Sequence, residues 1–217
     1  MSRFRVAGPD DPSTCAIEPG VPVEEREVHV LPAEMYTFRA PDLSAFQGSV
    51  SGMAGHLLFI FNLTREMRAQ HVVEIGFGEA NSALAFLLAL RETGGTLTSV
   101  DLERRPQAEE RISELGLSEQ WRFIEAPSET AAAEVRRLTP IDILMIDGLH
   151  SYKQCRLDYF RYAPWVRSGG YVLFHDSRTI MGVRDFTQQL LERGLGGVQL
   201  DYCNGLFVFQ KCDDVIW

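Results

Sequence analysis

An α/β fold with a doubly wound, mostly parallel sheet is predicted by three features of the sequence. Five short apolar stretches alternate with helix-length segments, and four of those stretches stop abruptly at glycine or ionisable residues. The chain then finishes on two apolar stretches around Asn204-Gly205, a strong hairpin signal. Five strands from β/α units and two from a terminal antiparallel hairpin make a seven-stranded, Rossmann-like sheet.

The elements follow in order. Residues 1–45 are a proline-rich N-terminal arm, holding Pro9, Pro12, Pro19, Pro22, Pro32 and Pro41, six of the ten prolines. Regular helix cannot run far through that spacing. Glu24 to Val30 alternates weakly and is expected as a short edge strand. The arm is expected either to be a tail or to cover the site or a partner subunit. Met35, Tyr36, Phe38, Leu43 and Phe46 favour order in its second half. The domain proper is residues 46–217. It opens with a helix over residues 48–69, capped by Ser51, whose apolar face carries Met53, Leu57, Leu58, Ile60, Phe61 and Leu63.

The stretch HVVEIGFGEANS, residues 71–82, reads as a buried strand, a glycine turn and the start of an apolar helix. Such a turn brings bare backbone N–H groups and a helix N-terminus against a ligand, because glycine has no Cβ to hold it away. Thr96 to Val100 is the next strand and ends in Asp101. Pro106 starts a surface helix and Gly116 stops it. Trp121 to Glu125 is a third strand, with Ala126, Pro127 and Ser128 as its loop, followed by a helix over residues 129–138. Ile141 to Ile146 is almost wholly apolar, as a strand covered on both faces should be, and ends in Asp147. A helix from Lys153 to Trp165 leads to Tyr171 to Phe174, which ends in His175 and Asp176. A helix over residues 181–193 precedes the hairpin strands Val198 to Tyr202 and Leu206 to Phe209.

Composition narrows the partners. With 21 Lys+Arg against 30 Asp+Glu the net charge is −9, which argues against nucleic acid and leaves a small molecule as the expected partner. No run of 18 apolar residues marks a membrane span, and the first 20 residues have no apolar export region. Cys15, Cys155, Cys203 and Cys212 are scattered without metal or disulfide spacing, as in a reduced, cytoplasmic protein. A homodimer is a further candidate assembly.

In an open parallel sheet, ligands bind outside the carboxyl ends of the strands. The polar strand ends Glu74, Asp101, Asp147 with His150, and His175 with Asp176 should therefore share one edge. A dinucleotide turn would carry a third glycine, but position 81 is Asn. The loop reads Glu-x-Gly-x-Gly instead, and with the following strand end at Asp101 it resembles motif I of class I S-adenosylmethionine-dependent methyltransferases. Asp147, Gly148, His150, Ser151, Tyr152, Asp158, Gly169, Gly170, His175 and Asp176 resemble the D-G-x-H-x-Y…D…G-G…H-D pattern of small-molecule O-methyltransferases. That group includes macrocin-type O-methyltransferases and cephalosporin-hydroxylase-like proteins. The resemblance covers roughly residues 48–210.

The resemblance implies S-adenosyl-L-methionine as cofactor, held by Glu74, Gly76, Gly78, Asn81, Ser82, Asp101, Leu102, Ser128, Asp147 and Gly148. Asp101 would accept the ribose hydroxyls, Ser128 would lie beside the adenine, and Gly48 to Gly52 near the methionine end. It also implies a divalent cation at Asp147, His175 and Asp176. His175 stands where relatives carry an acid, and this departure favours Mn²⁺ or another transition ion over Mg²⁺. Two routes stay open for the acceptor proton: a coordinated cation, or His150, His175 and Asp147 as the catalytic groups without metal. The activity implied is methyl transfer to a hydroxyl of a small molecule, as in specialised metabolism. Transfer to nitrogen or carbon without metal, or a cofactor-binding subunit that does not turn over, are the alternatives. His29, His56 and His71 read as structural. Arg178 and Arg184 could meet an acidic acceptor.

Overall fold

The computed structural model describes residues 52–212. The arm at residues 1–45, its expected edge strand and the expected Ser51 cap lie outside those residues. The strands are β1 (His71–Ile75), β2 (Thr96–Asp101), β3 (Trp121–Glu125), β4 (Ile141–Ile146), β5 (Val166–His175), β6 (Val198–Leu200) and β7 (Leu206–Gln210). They form one sheet in the order β3-β2-β1-β4-β5-β7-β6, parallel except where β7 pairs antiparallel with β5 and β6. This is the class I methyltransferase sheet. Strand order reverses between β1 and β4, so the connections leaving their carboxyl ends diverge and open a crevice there.

Burial explains why β1 and β4 are central, since every residue of both is buried. Helices α1 (Leu57–Glu66), α2 (Asn81–Thr93) and α3 (Pro106–Glu114) share a core with one face of the sheet. Helices α4 (Ser128–Val135), α5 (Tyr152–Tyr162) and α6 (Met181–Glu192) share a core with the other. Helix α2 lies under α1 and is buried from Ser82 to Leu90, which accounts for its lack of a polar face. Gly94 ends it in the left-handed conformation, its N–H bonding the Leu90 carbonyl at 2.8 Å. Among the described residues no helix is long and apolar enough to cross a membrane.

Three elements differ from their sequence-based bounds. The first helix is shorter than residues 48–69: a 3-10 turn at Ala54–His56 precedes α1. Strand β5 starts five residues before Tyr171 and takes in Gly169 and Gly170, because these glycines let strands crowd together. A Cβ on Gly170 would lie 2.7 Å from the Asp142 carbonyl oxygen. The terminal hairpin is present, but residues 201–205 link its strands in place of a two-residue Asn-Gly turn. Cys203 and Gly205 take positive φ values of 52° and 90°, and the Asn204 carbonyl accepts the N–H groups of Arg178 and Thr179 at 3.0 and 3.2 Å. The loop is thereby held on the end of β5.

The opposite edge of the sheet is stapled by Asp142. Its carboxylate accepts the backbone N–H groups of Gln70 and His71 at 2.6 and 2.8 Å and Arg167 Nε at 2.5 Å. Asp142→Ala leaves all three donors without this partner and should lower stability by about 3 kcal/mol. Urea unfolding with an unchanged slope checks this, and a loss below about 1 kcal/mol would show that water replaces the carboxylate.

Candidate active site

The glycine loop follows β1 directly. Gly76 has φ 93°, and a Cβ there would lie 2.1 Å from the Asp147 carbonyl oxygen, so the loop rests against the end of β4. Backbone bonds lock this contact: Gly76 N–H to the Val100 carbonyl at 2.9 Å, and Asp147 N–H to the Ile75 carbonyl at 2.8 Å. Gly78, φ 47°, has nothing within 4 Å of its Cβ position, so the loop is open on that side. Asp101 faces the loop. Its carboxylate accepts N–H groups from Phe77 at 2.8 Å, Gly78 at 3.2 Å and its neighbour Leu102 at 2.6 Å. A carboxylate offers about four lone-pair positions, so one more donor can be taken without breaking these bonds.

Two of the residues expected at the ligand are buried and bonded to the protein itself. Glu74 is fully buried, with Oε1 accepting from Ser82 Oγ and Oε2 from Ser99 Oγ at 2.8 Å. Ser99 in turn accepts Trp121 Nε1–H at 3.1 Å, and the Trp121 ring stacks on Phe77 at 5.1 Å. Glu74 and Ser82 therefore brace the loop from beneath; their side chains do not line the crevice. Burial pushes the Glu74 carboxyl up to about 8, against the lowering effect of the two serine hydroxyls.

The other expected positions are more dispersed. Asn81 is the first residue of α2, its side-chain oxygen 3.5 Å from the Arg111 guanidinium. Leu102 is largely exposed beside Asp101, and Gly148 packs over Ile75. Ser128 begins α4, but its hydroxyl is taken, donating to buried Asp158 at 2.6 Å and accepting from Gln154 at 3.2 Å, while Tyr162 holds its carbonyl at 2.5 Å. Any contact from Ser128 to an adenine would therefore fall to its backbone. Arg178 is also engaged, donating to the Asp201 carbonyl.

The ends of β4 and β5 bring four ionisable residues together. His150 Nε2 lies 3.1 Å from Asp147 Oδ1 and 3.1 Å from Asp176 Oδ2. His175 Nδ1 lies 3.1 Å from Asp147 Oδ1 and 3.5 Å from Asp176 Oδ1. His175 Nε2 sits 3.3 Å from the Gly52 carbonyl, which can only accept, so that nitrogen carries a hydrogen. Nδ1, facing carboxylates, must then be protonated or bound to a cation. Burial works against the His175 charge, but hydrogen bonds to Asp147 and Asp176 and their negative charges outweigh it and raise its pKa to about 10. The Asp147 hydrogen bond raises His150 in the same sense, against burial. Asp176 is pushed up by burial but lowered overall by His175 and the Asn204 amide.

These residues also fit a cation. Asp147, His175 and Asp176 each offer a donor atom, all within 4.8 Å of one another. Asp176 Oδ1 is buried with no hydrogen-bond partner among the described residues.

Residues that sequence reasoning passed over complete the wall. His56, read as structural, is fully buried between the rings of Tyr202, at 4.5 Å, and His175, at 5.8 Å. Burial first, then the His175 charge, depress its pKa to about 4. A Cβ on Gly52 would strike the Asn204 amide, and one on Gly55 the Cys203 sulfur. Asn204 had looked like a turn residue and His56 like part of an apolar helix face. Only the pairing of β7 with β5 brings them to one place.

A methyltransferase-domain family model matches residues 73–177. Among solved structures, the chain is similar to the O-methyltransferase TomG from Streptomyces achromogenes, involved in tomaymycin synthesis and in complex with SAM. The TM-score is 0.65 at 16% identity, covering 83% of this chain and 95% of that one. It is also similar to the O-methyltransferase from Bacillus cereus in complex with SAH, with TM-score 0.60, 14% identity, and coverage of 72% and 81%. Podospora anserina methyltransferase PaMTH1, bound to SAH, gives TM-score 0.60 at 16% identity, with 83% and 86% covered. At such identities the likeness establishes the fold. No curated protein matches the chain.

The Glu74 pocket makes a pH prediction. Its folded pKa, about 8, lies above the ordinary 4.5, so the fold retains a proton that the unfolded chain releases. This contribution to stability is complete below about pH 4.5 and is lost as pH rises towards about 8. Glu74→Gln, which cannot ionise, should therefore gain in melting temperature relative to the parent across that window. A difference that does not change with pH would mean that Glu74 is ionised in the fold.

Proposed function

We propose that this chain, with a class I methyltransferase fold and a methyltransferase-domain match over residues 73–177, moves the methyl group of S-adenosylmethionine to a hydroxyl of a small molecule. One observation carries the reading: the open glycine loop rests directly on Asp147, so the loop and the Asp147, His150, His175 and Asp176 cluster are contiguous. In this reading Gly76 to Gly78 and Asp101 hold the nucleoside end of the cofactor, with the fourth lone-pair position of Asp101 taking a ribose hydroxyl. The sulfonium then faces the ends of β4 and β5.

Transfer is an in-line displacement. The acceptor oxygen bonds to the methyl carbon as the carbon–sulfur bond breaks, giving a methyl ether and S-adenosylhomocysteine, and the hydroxyl proton must leave. Alignment of the two reactants supplies a large part of the rate. The cluster supplies the place for the proton: a positioned histidine contributes about 10² to 10⁴-fold. A divalent cation held by Asp147, His175 and Asp176 would instead lower the pKa of the hydroxyl directly. With Arg178 tied to a backbone carbonyl and the chain acidic overall, a neutral acceptor suits this edge better than an anionic one. The solved O-methyltransferase involved in tomaymycin synthesis supports a setting in specialised metabolism, and the scattered cysteines support a cytoplasmic one.

Calorimetry with S-adenosylhomocysteine tests the cofactor. Binding at micromolar concentration is expected, and Asp101→Ala should weaken it at least tenfold, about 1.4 kcal/mol or more. Asp101→Asn, which keeps an acceptor for the loop N–H groups, separates loss of the ribose contact from collapse of the loop. No binding by the parent at millimolar ligand would eliminate the proposal.

A further inference from the structure

We propose that Leu149, Ile180 and Met181 form the wall that receives the acceptor, and that its hydroxyl is carried on an uncharged apolar body, alkyl or aromatic, and not on a sugar or an anionic carrier. For the chemistry this rests on the methyl-transfer reading; the wall itself is a property of the fold. Among the described residues the most exposed large apolar side chains are Leu149, Leu102 and Met181, at 69, 66 and 66%. A lone exposed leucine needs no explanation. These three, however, all stand on connections that leave the carboxyl ends of strands. Leu102 follows Asp101 at the end of β2, Leu149 lies just beyond Asp147 after β4, and Met181 opens α6 after β5. Leu102 belongs to the side of the glycine loop, whereas Leu149 and Met181 flank the ionisable cluster.

Gly182 brings Leu149 and Met181 to one place. A Cβ there would lie 2.5 Å from both the His150 carbonyl oxygen and the Tyr152 nitrogen, so the first turn of α6 rests on the loop that carries His150. Tyr152 fastens the two together: its hydroxyl donates to Gln189 Oε1 at 2.7 Å, and its ring meets that of Phe186 edge-on at 5.8 Å. Ile180 is tied in through its N–H, which bonds the Asp176 carbonyl at 3.0 Å. A surface held this way is formed before a ligand arrives, which keeps the ordering cost of binding low. The cluster opens at the same point. The His150 side chain is 37% exposed, against 10% for Asp176 and 5% for His175, so an acceptor that reaches the cluster by way of His150 passes between Leu149 and Met181.

Charge selects among acceptors. Residues 148–152 and 179–183, on either side of His150, contain no Asp, Glu, Lys or Arg in a chain that is 24% charged. The arginines that flank the second segment are engaged: Arg178 donates to the Asp201 carbonyl, and Arg184 Nε lies 3.6 Å from Asp185. An anionic carrier would meet no cation within these two segments. A sugar would press several hydroxyls against Leu149, Ile180 and Met181, where they lose water and gain no partner. An apolar body gains from the same contact, because it and the exposed side chains leave water together.

The full-length protein, saturated with S-adenosylhomocysteine, is titrated by calorimetry with phenol, 4-ethylphenol, 4-butylphenol and methyl β-D-glucopyranoside. Affinity should rise about threefold with each added methylene, and the glucoside should bind at least about tenfold more weakly than 4-butylphenol. Leu149→Ser with Met181→Ser should weaken 4-butylphenol at least about tenfold while S-adenosylhomocysteine affinity stays within about twofold. Both positions are exposed, so the variant should fold as the parent does, and Leu149→Met, which keeps an apolar contact, should retain the parent's affinity. A flat affinity along the alkyl series, tighter binding of the glucoside, or an unchanged affinity in the double variant overturns the proposal. Failure of the parent to bind S-adenosylhomocysteine would remove the methyl-transfer reading, and the same alkylphenol series on the cofactor-free protein would still decide the wall.

Discussion

A missing side chain fixes the geometry of this molecule. At Gly76 the backbone passes so close to the Asp147 carbonyl that a Cβ would lie 2.1 Å from it, and the two strand ends are bonded by Asp147 N–H to the Ile75 carbonyl. Any larger residue there would have to push β1 away from β4 at the point where strand order reverses. The glycine is therefore needed twice: for a backbone angle that other residues rarely adopt, and for the contact that joins the loop to the ionisable cluster. Without that contact the fold would hold two separate features in place of one continuous edge.

Beneath the loop, polar groups are arranged so that none of the strain falls on the open side. Trp121, Ser99, Glu74 and Ser82 form a buried chain of hydrogen bonds from β3 through β2 and β1 to the first turn of α2. A fully satisfied buried network of this kind rigidifies what it spans. Above it, Asp101 gathers three backbone N–H groups. The loop is thus formed in advance of any ligand, which lowers the ordering cost of binding one. The acid two residues before the first glycine belongs to this support. Its place in the sequence pattern reflects the architecture of the loop.

Most of the fold was legible because its signals are local. Apolar runs ending in an acid marked β2 and β4, a run ending in a glycine turn marked β1, and the spacing of glycines and prolines marked the helices between them. The polar strand ends were predicted to share an edge, and Asp147, His150, His175 and Asp176 do come together there. What could not be read was whatever depends on which neighbour a side chain meets. Glu74 and Ser82 looked like ligand contacts until burial paired them with each other. Ser128 lost its hydroxyl to Asp158, thirty residues away. Asn204 signalled only a turn and His56 only a structural histidine, since their meeting place is created by β7 inserting antiparallel beside β5. Strand β5 ran longer than its apolar core because Gly169 and Gly170 read as punctuation, whereas here they serve close strand packing.

Charge balance at the cluster follows from the same edge. Two carboxylates, Asp147 and Asp176, lie within reach of one another, and leaving both ionised without a positive partner is expensive in a half-buried site. Protonated imidazoles on either side would neutralise them, and so would one divalent cation with both imidazoles neutral; the formal charge is zero in each case. That equality suits methyl transfer from a sulfonium. The positive charge on sulfur fades as the methyl group leaves, so a strongly negative site would hold the starting cofactor more tightly than the transition state and slow the reaction. In the proposed reaction a neutralised cluster would avoid that penalty while still offering hydrogen-bonding groups to an acceptor hydroxyl. In the absence of a cation, the two histidines are what balance the two acids at this edge.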